Sequence, residues 1–216
     1  MAYDIILFDI DGTLCDPGTS IIESARFALA ELGVSEADEA ALRRFVGPPL
    51  EHAFRDYYGF DEIKTNQAVS LFRDKLQKDG IKLYKAYDDI PELLEGLQKA
   101  GKITAVVTSK IEHIAKDALT STGLLKYFDI IGAQQSYEVV EKEIILSRVL
   151  NRLNVSDKSK TVMIGDRKHD VEAANVHGID SIGVLWGYGS AEEFRNEGST
   201  YTVSNADELI QVLIGQ

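Results

Sequence analysis

Five short apolar runs punctuate the chain: "DIILFD" at 4–9, "KITAVVTS" at 102–109, "YFDIIGA" at 127–133, "KTVMIGD" at 160–166 and "DSIGVLWG" at 180–187. They are continuous rather than alternating, the pattern of strands covered on both faces. Between them, apolar residues recur at helical spacing, as Ile90, Leu93, Leu94 and Leu97, and then as Ile111, Ile114, Ala115, Ala118 and Leu119. Gly101 and Gly123 follow as helix stops. Strands alternating with helices of this length predict an α/β fold built on a doubly wound parallel sheet.

One segment breaks the rhythm. Residues 16–84 contain no convincing strand but four helical stretches, "SIIESARFALAELGV", "EADEAALRRFVG", "PPLEHAFRDYYG" and "DEIKTNQAVSLFRDKLQKDG". A crossover between parallel strands needs one helix, so this much helix predicts an inserted unit. The expected division is a core of 1–15 with 85–216 and a helical cap of 16–84, hinged at "CDPG" and "KLYKAY".

Composition narrows the function classes. The chain has 216 residues, 44% apolar and 27% charged, an ordinary globular balance. Its formal charge of −12 argues against nucleic acid as main partner and against an anionic membrane surface. The single cysteine, Cys15, cannot form an internal disulfide and reads as a small buried hydrophobe. With no basic and apolar leader pattern and no apolar run of membrane length, the expected location is the cytoplasm. Nothing in the sequence fixes an oligomeric state.

The candidate chemistry lies at predicted strand ends. In an extended chain Asp9 and Asp11 would project to one side while Ile10 faces the core, so two like charges would share a site. That is favourable where a cation or a shared proton relieves the repulsion. Gly12 lets the backbone turn, and the amides beyond it can face an anion. Thr108, Ser109 and Lys110 follow a strand and precede a helix, which suits either an anion site or capping of that helix by Ser109. Asp166 ends a strand, and Asp170 stands four residues on, where the helix dipole alone would favour an acid. His169 and His177 read as surface histidines, and Lys142, in the run "EKE", as a solvated lysine unless the other clusters recruit it. If these strand ends meet, their oxygen-rich acids suit a hard divalent ion such as Mg²⁺, and a hydroxyl and a lysine beside it suit a phosphoryl group. A carboxylate can then attack phosphorus. Asp9, nearest the strand, is the better nucleophile candidate, and Asp11 the proton carrier.

"DIDGT" at Asp9 to Thr13, "TSK" at Thr108 to Lys110, Lys142, and "GDRKHD" at Gly165 to Asp170 resemble the four motifs of the haloacid dehalogenase superfamily, in order and spacing, through essentially the whole chain. The resemblance implies a Mg²⁺-dependent phosphatase acting on a small phosphorylated metabolite. Asp9 would be the nucleophile and Asp11 the acid/base, with Thr108 and Lys142 on the phosphoryl group. The metal set would be the Asp9 carboxylate, the Asp11 carbonyl, Asp166 and Asp170. Gly12, Thr13, Ser109 and Lys110 would border the substrate, as would Gly47 and Pro48 in "RRFVGPPLEHAF", a stretch similar to the cap segment of the phosphoglycolate phosphatase-like subgroup. "WGYGS" at Trp186 to Ser190 resembles that subgroup's loop after the fifth core strand. Glu143 follows Lys142 where many relatives have proline. Phosphoglycolate or a nucleoside monophosphate is the expected substrate. A phosphomutase of the beta-phosphoglucomutase type and a receiver-like phospho-aspartate module are the alternatives. Arg43, Arg44, His52 and Arg55 read mainly as an exposed helix face.

Overall fold

The structure is a computed structural model that describes residues 3–46, 50–135 and 140–214. The chain divides into two compact units, Met1–Asp16 with Ala86–Gln216, and Pro17–Lys85.

In the first unit the strands β1 (Ile5–Phe8), β4 (Ile103–Ile111), β5 (Ile130–Gln134), β6 (Thr161–Gly165), β7 (Asp180–Val184) and β8 (Tyr201–Val203) form one sheet in the order β5-β4-β1-β6-β7-β8. Every pairing is parallel. Two short strands, β2 (Cys15–Asp16) and β3 (Lys85–Ala86), pair separately. The helices of this unit are α5 (Ile90–Lys99), α6 (Glu112–Ser121), α7 (Lys142–Arg152), α8 (Lys168–His177), α9 (Ala191–Glu197) and α10 (Ala206–Ile214). Leu7, Ala105, Val107 and Met163 pack under α7 and α8 through Ile145, Leu146, Val149, Ala173 and Ala174. The alternate residues Ile6, Phe8, Val106 and Ile164 are equally buried, as a sheet covered on both faces requires.

The chain builds outward from β1 to β4 and β5, then crosses back to add β6, β7 and β8 on the other side. This reversal places a crevice at the carboxyl ends of the central strands, where open α/β sheets receive ligands. Register fixes what meets there. Phe8 pairs with both Val106 and Ile164, so Asp9 leaves the sheet level with Val107 and Gly165.

Two local expectations need correction. β8 was not among the five apolar runs, because it is three residues long and exposes Tyr201 and Thr202. β4 also runs past Ser109 to Ile111, with a register shift against β5 between Val107 and Ile111. The residue that precedes α6 is therefore Ile111, without a side-chain cap, and Ser109 does not cap it.

The second unit holds α1 (Gly18–Glu31), α2 (Glu39–Arg43), α3 (Leu50–Tyr58) and α4 (Glu62–Lys78). Asp38 and Asp61 cap α2 and α4 by accepting from Ala40 and Lys64 amides at 2.9 and 2.8 Å. Phe54 is fully buried at the centre, with Phe60 and Phe72 ring centroids 6.1 and 6.5 Å away and Phe45 at 4.8 Å. A core of this kind gives the unit its own hydrophobic centre.

Candidate active site

Asp9 is held by the sheet: its N–H donates to the Ile164 carbonyl at 3.0 Å, and the residue is buried. The chain then turns sharply. The Ile10 carbonyl accepts from the amides of Leu14 and Cys15, both at 2.9 Å, and the Gly12 N–H donates to the Cys15 carbonyl at 2.9 Å. Gly12 has φ +78, and a Cβ there would run into the Asp166 carboxylate. Gly12→Ala is thus expected to cost about 1–3 kcal/mol from backbone strain alone. Chemical denaturation checks this, and an unchanged midpoint would contradict the role given to the turn.

Asp166 leaves the end of β6, and its Oδ2 accepts from the Tyr188 N–H at 2.9 Å. Asp170 sits in the first turn of α8, where its Oδ2 accepts from the Arg167 N–H at 3.2 Å. That capping contact is the one the dipole argument anticipated, but the same carboxylate has a second partner. Lys142 opens α7 with Glu143 behind it, and its Nζ lies 2.5 Å from Asp170 Oδ1 and 3.0 Å from Asp9 Oδ2. Gly165 leaves room for this, since a Cβ there would occupy the place of the Asp170 carboxylate. Lys142 is therefore no solvated surface lysine: its side chain is only 9% exposed.

One oxygen from each of Asp9, Asp166 and Asp170 falls within 4.8 Å of the others, and all three residues are buried. Burial opposes a charged Lys142, but the attraction of Asp170 and Asp9 outweighs it and raises its pKa. Burial, then repulsion by Asp9 and Asp170, pushes Asp166 up to about 8. Burial also raises Asp170, against the pull of Lys142, to about 6. One ammonium against three carboxylates leaves the group short of positive charge. The donors are all oxygen, and among the described residues no cysteine or histidine joins them. An all-oxygen set of this kind fits a hard divalent cation.

Asp11 has a cation beside it. β1 ends at Phe8, and Asp11 Oδ2 pairs with Lys110 Nζ at 2.7 Å. Among the described residues, the Asp11 carboxylate is not one of the three acids whose oxygens lie within 4.8 Å of one another. Among the described residues, Asp11 Oδ1 and Thr13 Oγ1 are buried with no hydrogen-bond partner. Thr108 is buried beside this pair in sequence, its Oγ1 accepting from the Lys110 N–H at 3.3 Å, whereas Ser109 is exposed. Gly47 and Pro48 lie outside the described residues. In the helical unit Arg43 pairs with Glu39, Arg44 lies 3.7 Å over the Tyr57 ring, Arg55 pairs with Asp56, and His52 is exposed. His169 contacts Glu172, and His177 the Glu143 carbonyl, both away from the acids.

Cys15 is fully buried, touches Thr122 Oγ1, and burial pushes its thiol up to about 12. Sequence reading overlooked Glu193, whose Oε1 accepts from the Lys168 N–H at 2.6 Å and from Arg167 Nε at 3.1 Å, bracing the start of α8. Its signal was present as the "SAEE" capping pattern, in which Ser190 Oγ accepts from the Glu193 N–H at 3.1 Å.

A family model described as haloacid dehalogenase-like hydrolase matches residues 6–184. A 5'-nucleotidase of Pseudomonas aeruginosa is 37% identical over 99% of the chain and 96% of its own length. The protein named tyrosine-protein kinase PtkA of Mycobacterium tuberculosis is 35% identical over 97% of the chain and 72% of its own length. A crystal structure from Clostridium difficile, of a protein designated a phosphatase by inference, superposes with a TM-score of 0.95 at 40% identity, covering 99% of this chain and 100% of that one. Among the described residues no helix is long and apolar enough to cross a membrane. Motif order, parallel sheet, buried acid cluster and full-length similarity converge: the chain belongs to the haloacid dehalogenase-like hydrolase family, with phosphoric monoester hydrolysis as its chemistry.

Proposed function

We propose that this protein is a Mg²⁺-dependent phosphatase that releases phosphate from a small phosphorylated metabolite through an aspartyl-phosphate on Asp9. The observation that carries this reading is the grouping of the buried Asp9, Asp166 and Asp170 carboxylates, two of which, Asp9 and Asp170, hold the Lys142 ammonium. In it, the Asp9 oxygen attacks phosphorus while Asp11 gives a proton to the leaving oxygen. Asp11 then takes a proton from the water that hydrolyses the acyl phosphate. Lys142 and the Thr108 hydroxyl neutralise the phosphoryl oxygens, and Lys110 keeps the Asp11 carboxylate placed between turns. The ion, held by Asp9, Asp166, Asp170 and the Asp11 carbonyl, would screen the negative charge of substrate and nucleophile.

The helical unit, on this reading, selects the leaving group as a cap. A nucleoside monophosphate is the first substrate class to test, because the similarity to the 5'-nucleotidase extends over both proteins almost completely. Phosphoglycolate is the second. Membership in a hydrolase family displaces the receiver-like alternative.

The test is phosphate release from a panel of nucleoside monophosphates, phosphoglycolate and sugar phosphates, with Mg²⁺ and with EDTA. Turnover that needs Mg²⁺ and favours one class supports the proposal. Undiminished turnover in EDTA, or rearrangement of glucose 1-phosphate without phosphate release, would overturn it.

A further inference from the structure

Residues 186–189 follow the end of β7. Their backbone lies against Asp166: a Cβ on Gly187 would meet the Gly12 carbonyl and the Asp166 side chain, and one on Gly189 would meet the Asp166 carbonyl. The two glycines let the strand-end loop approach an acid that larger residues would hold away. The side chains between them are pinned. Trp186 Nε1 donates to the Thr13 carbonyl at 3.0 Å, and the Tyr188 hydroxyl donates to Asp16 Oδ1 at 2.5 Å. Both anchors belong to the short stretch that follows the Gly12 turn. Tyr188 also donates its own N–H to Asp166 Oδ2 at 2.9 Å, so one residue grips the acid with its backbone and the turn's exit with its side chain.

A carboxylate that ligates a metal is aimed by the hydrogen bonds it accepts from outside the coordination sphere, and their loss typically costs ten- to a hundredfold in metal affinity. Simple packing would not require a backbone donor on the acid together with two polar pins. We propose that Tyr188 is a positioning residue for the divalent-ion site: its hydroxyl, anchored on Asp16, keeps its N–H on Asp166 so that the acid presents its other oxygen to the cation. This inference rests on the reading of Asp166 as a metal ligand.

Titration calorimetry with Mg²⁺ alone tests it without any substrate. Tyr188→Phe keeps the ring and the backbone N–H but removes the anchor, and Asp16→Asn weakens the same anchor from the other side. Each is expected to weaken Mg²⁺ binding by roughly tenfold. The double variant should lose no more than Tyr188→Phe alone, because that substitution already removes the hydroxyl that Asp16 holds. A second readout is built in. Trp186 is the single tryptophan of the chain and is hydrogen-bonded beside the acid turn, so its emission should respond to Mg²⁺, with the response moved to about tenfold higher Mg²⁺ in Tyr188→Phe. Binding in the wild type with unchanged affinity in both single variants overturns the inference alone, as do fully additive losses in the double variant. Absence of Mg²⁺ binding by the wild type overturns the metal reading and this inference together.

Discussion

Asp9→Asn is expected to lower phosphate release by roughly 10³-fold or more, the scale seen when a covalent nucleophile is lost. Asparagine matches aspartate in shape but is a poor nucleophile, and it leaves Lys142 its second partner, Asp170, at 2.5 Å. The variant should therefore fold. Two measurements decide the matter. Steady-state phosphate release should collapse at saturating substrate, and acid-quenched wild-type protein should carry a phosphoryl label on Asp9 that the variant lacks. Undiminished turnover would remove Asp9 as nucleophile.

Lys142→Met should have the largest effect on stability. It takes away the ammonium between Asp9 and Asp170 and leaves buried carboxylates uncompensated, a loss of about 3–5 kcal/mol for a broken buried pair. The pH dependence follows from the directions of the shifts. Asp166 and Asp170, raised to about 8 and about 6, hold protons more tightly folded than unfolded. In metal-free protein their contribution favours the fold at low pH and is lost as pH rises from about 4 through those values. Lys142 opposes that loss, since its raised pKa keeps it charged across this range. Denaturant unfolding in EDTA should therefore show a small deficit for Lys142→Met at pH 5 and the full deficit at pH 8. A deficit equal at both pH values would mean that the lysine acts by packing alone.

Much of this arrangement could be read from the chain. The apolar runs gave five of the six sheet strands, because residues buried on both faces of a parallel sheet must be apolar at every position. Helical spacing located α1 to α4 of the second unit and α5 before β4, and strand-end acids drew attention to Asp9, Asp166 and Asp170. Lys142 was visible only through its company, since "EKE" reads as a solvated run. Strand alternation put Asp9 and Asp11 on one side, but no local pattern showed that Lys110, about a hundred residues on, would pair with Asp11. Ser109 was offered as a cap, yet β4 continues beyond it.

Local pattern thus determined which residues are buried, which are helical and which acids stand at strand ends, because period and burial are properties of neighbouring residues. Only the tertiary structure decided which charges meet. Lys142 and Asp170 lie 28 residues apart and Tyr188 and Asp16 lie 172 apart, and their encounters depend on how parallel strands are ordered across the sheet. Sheet order is set by non-local packing, and no window along the chain contains it.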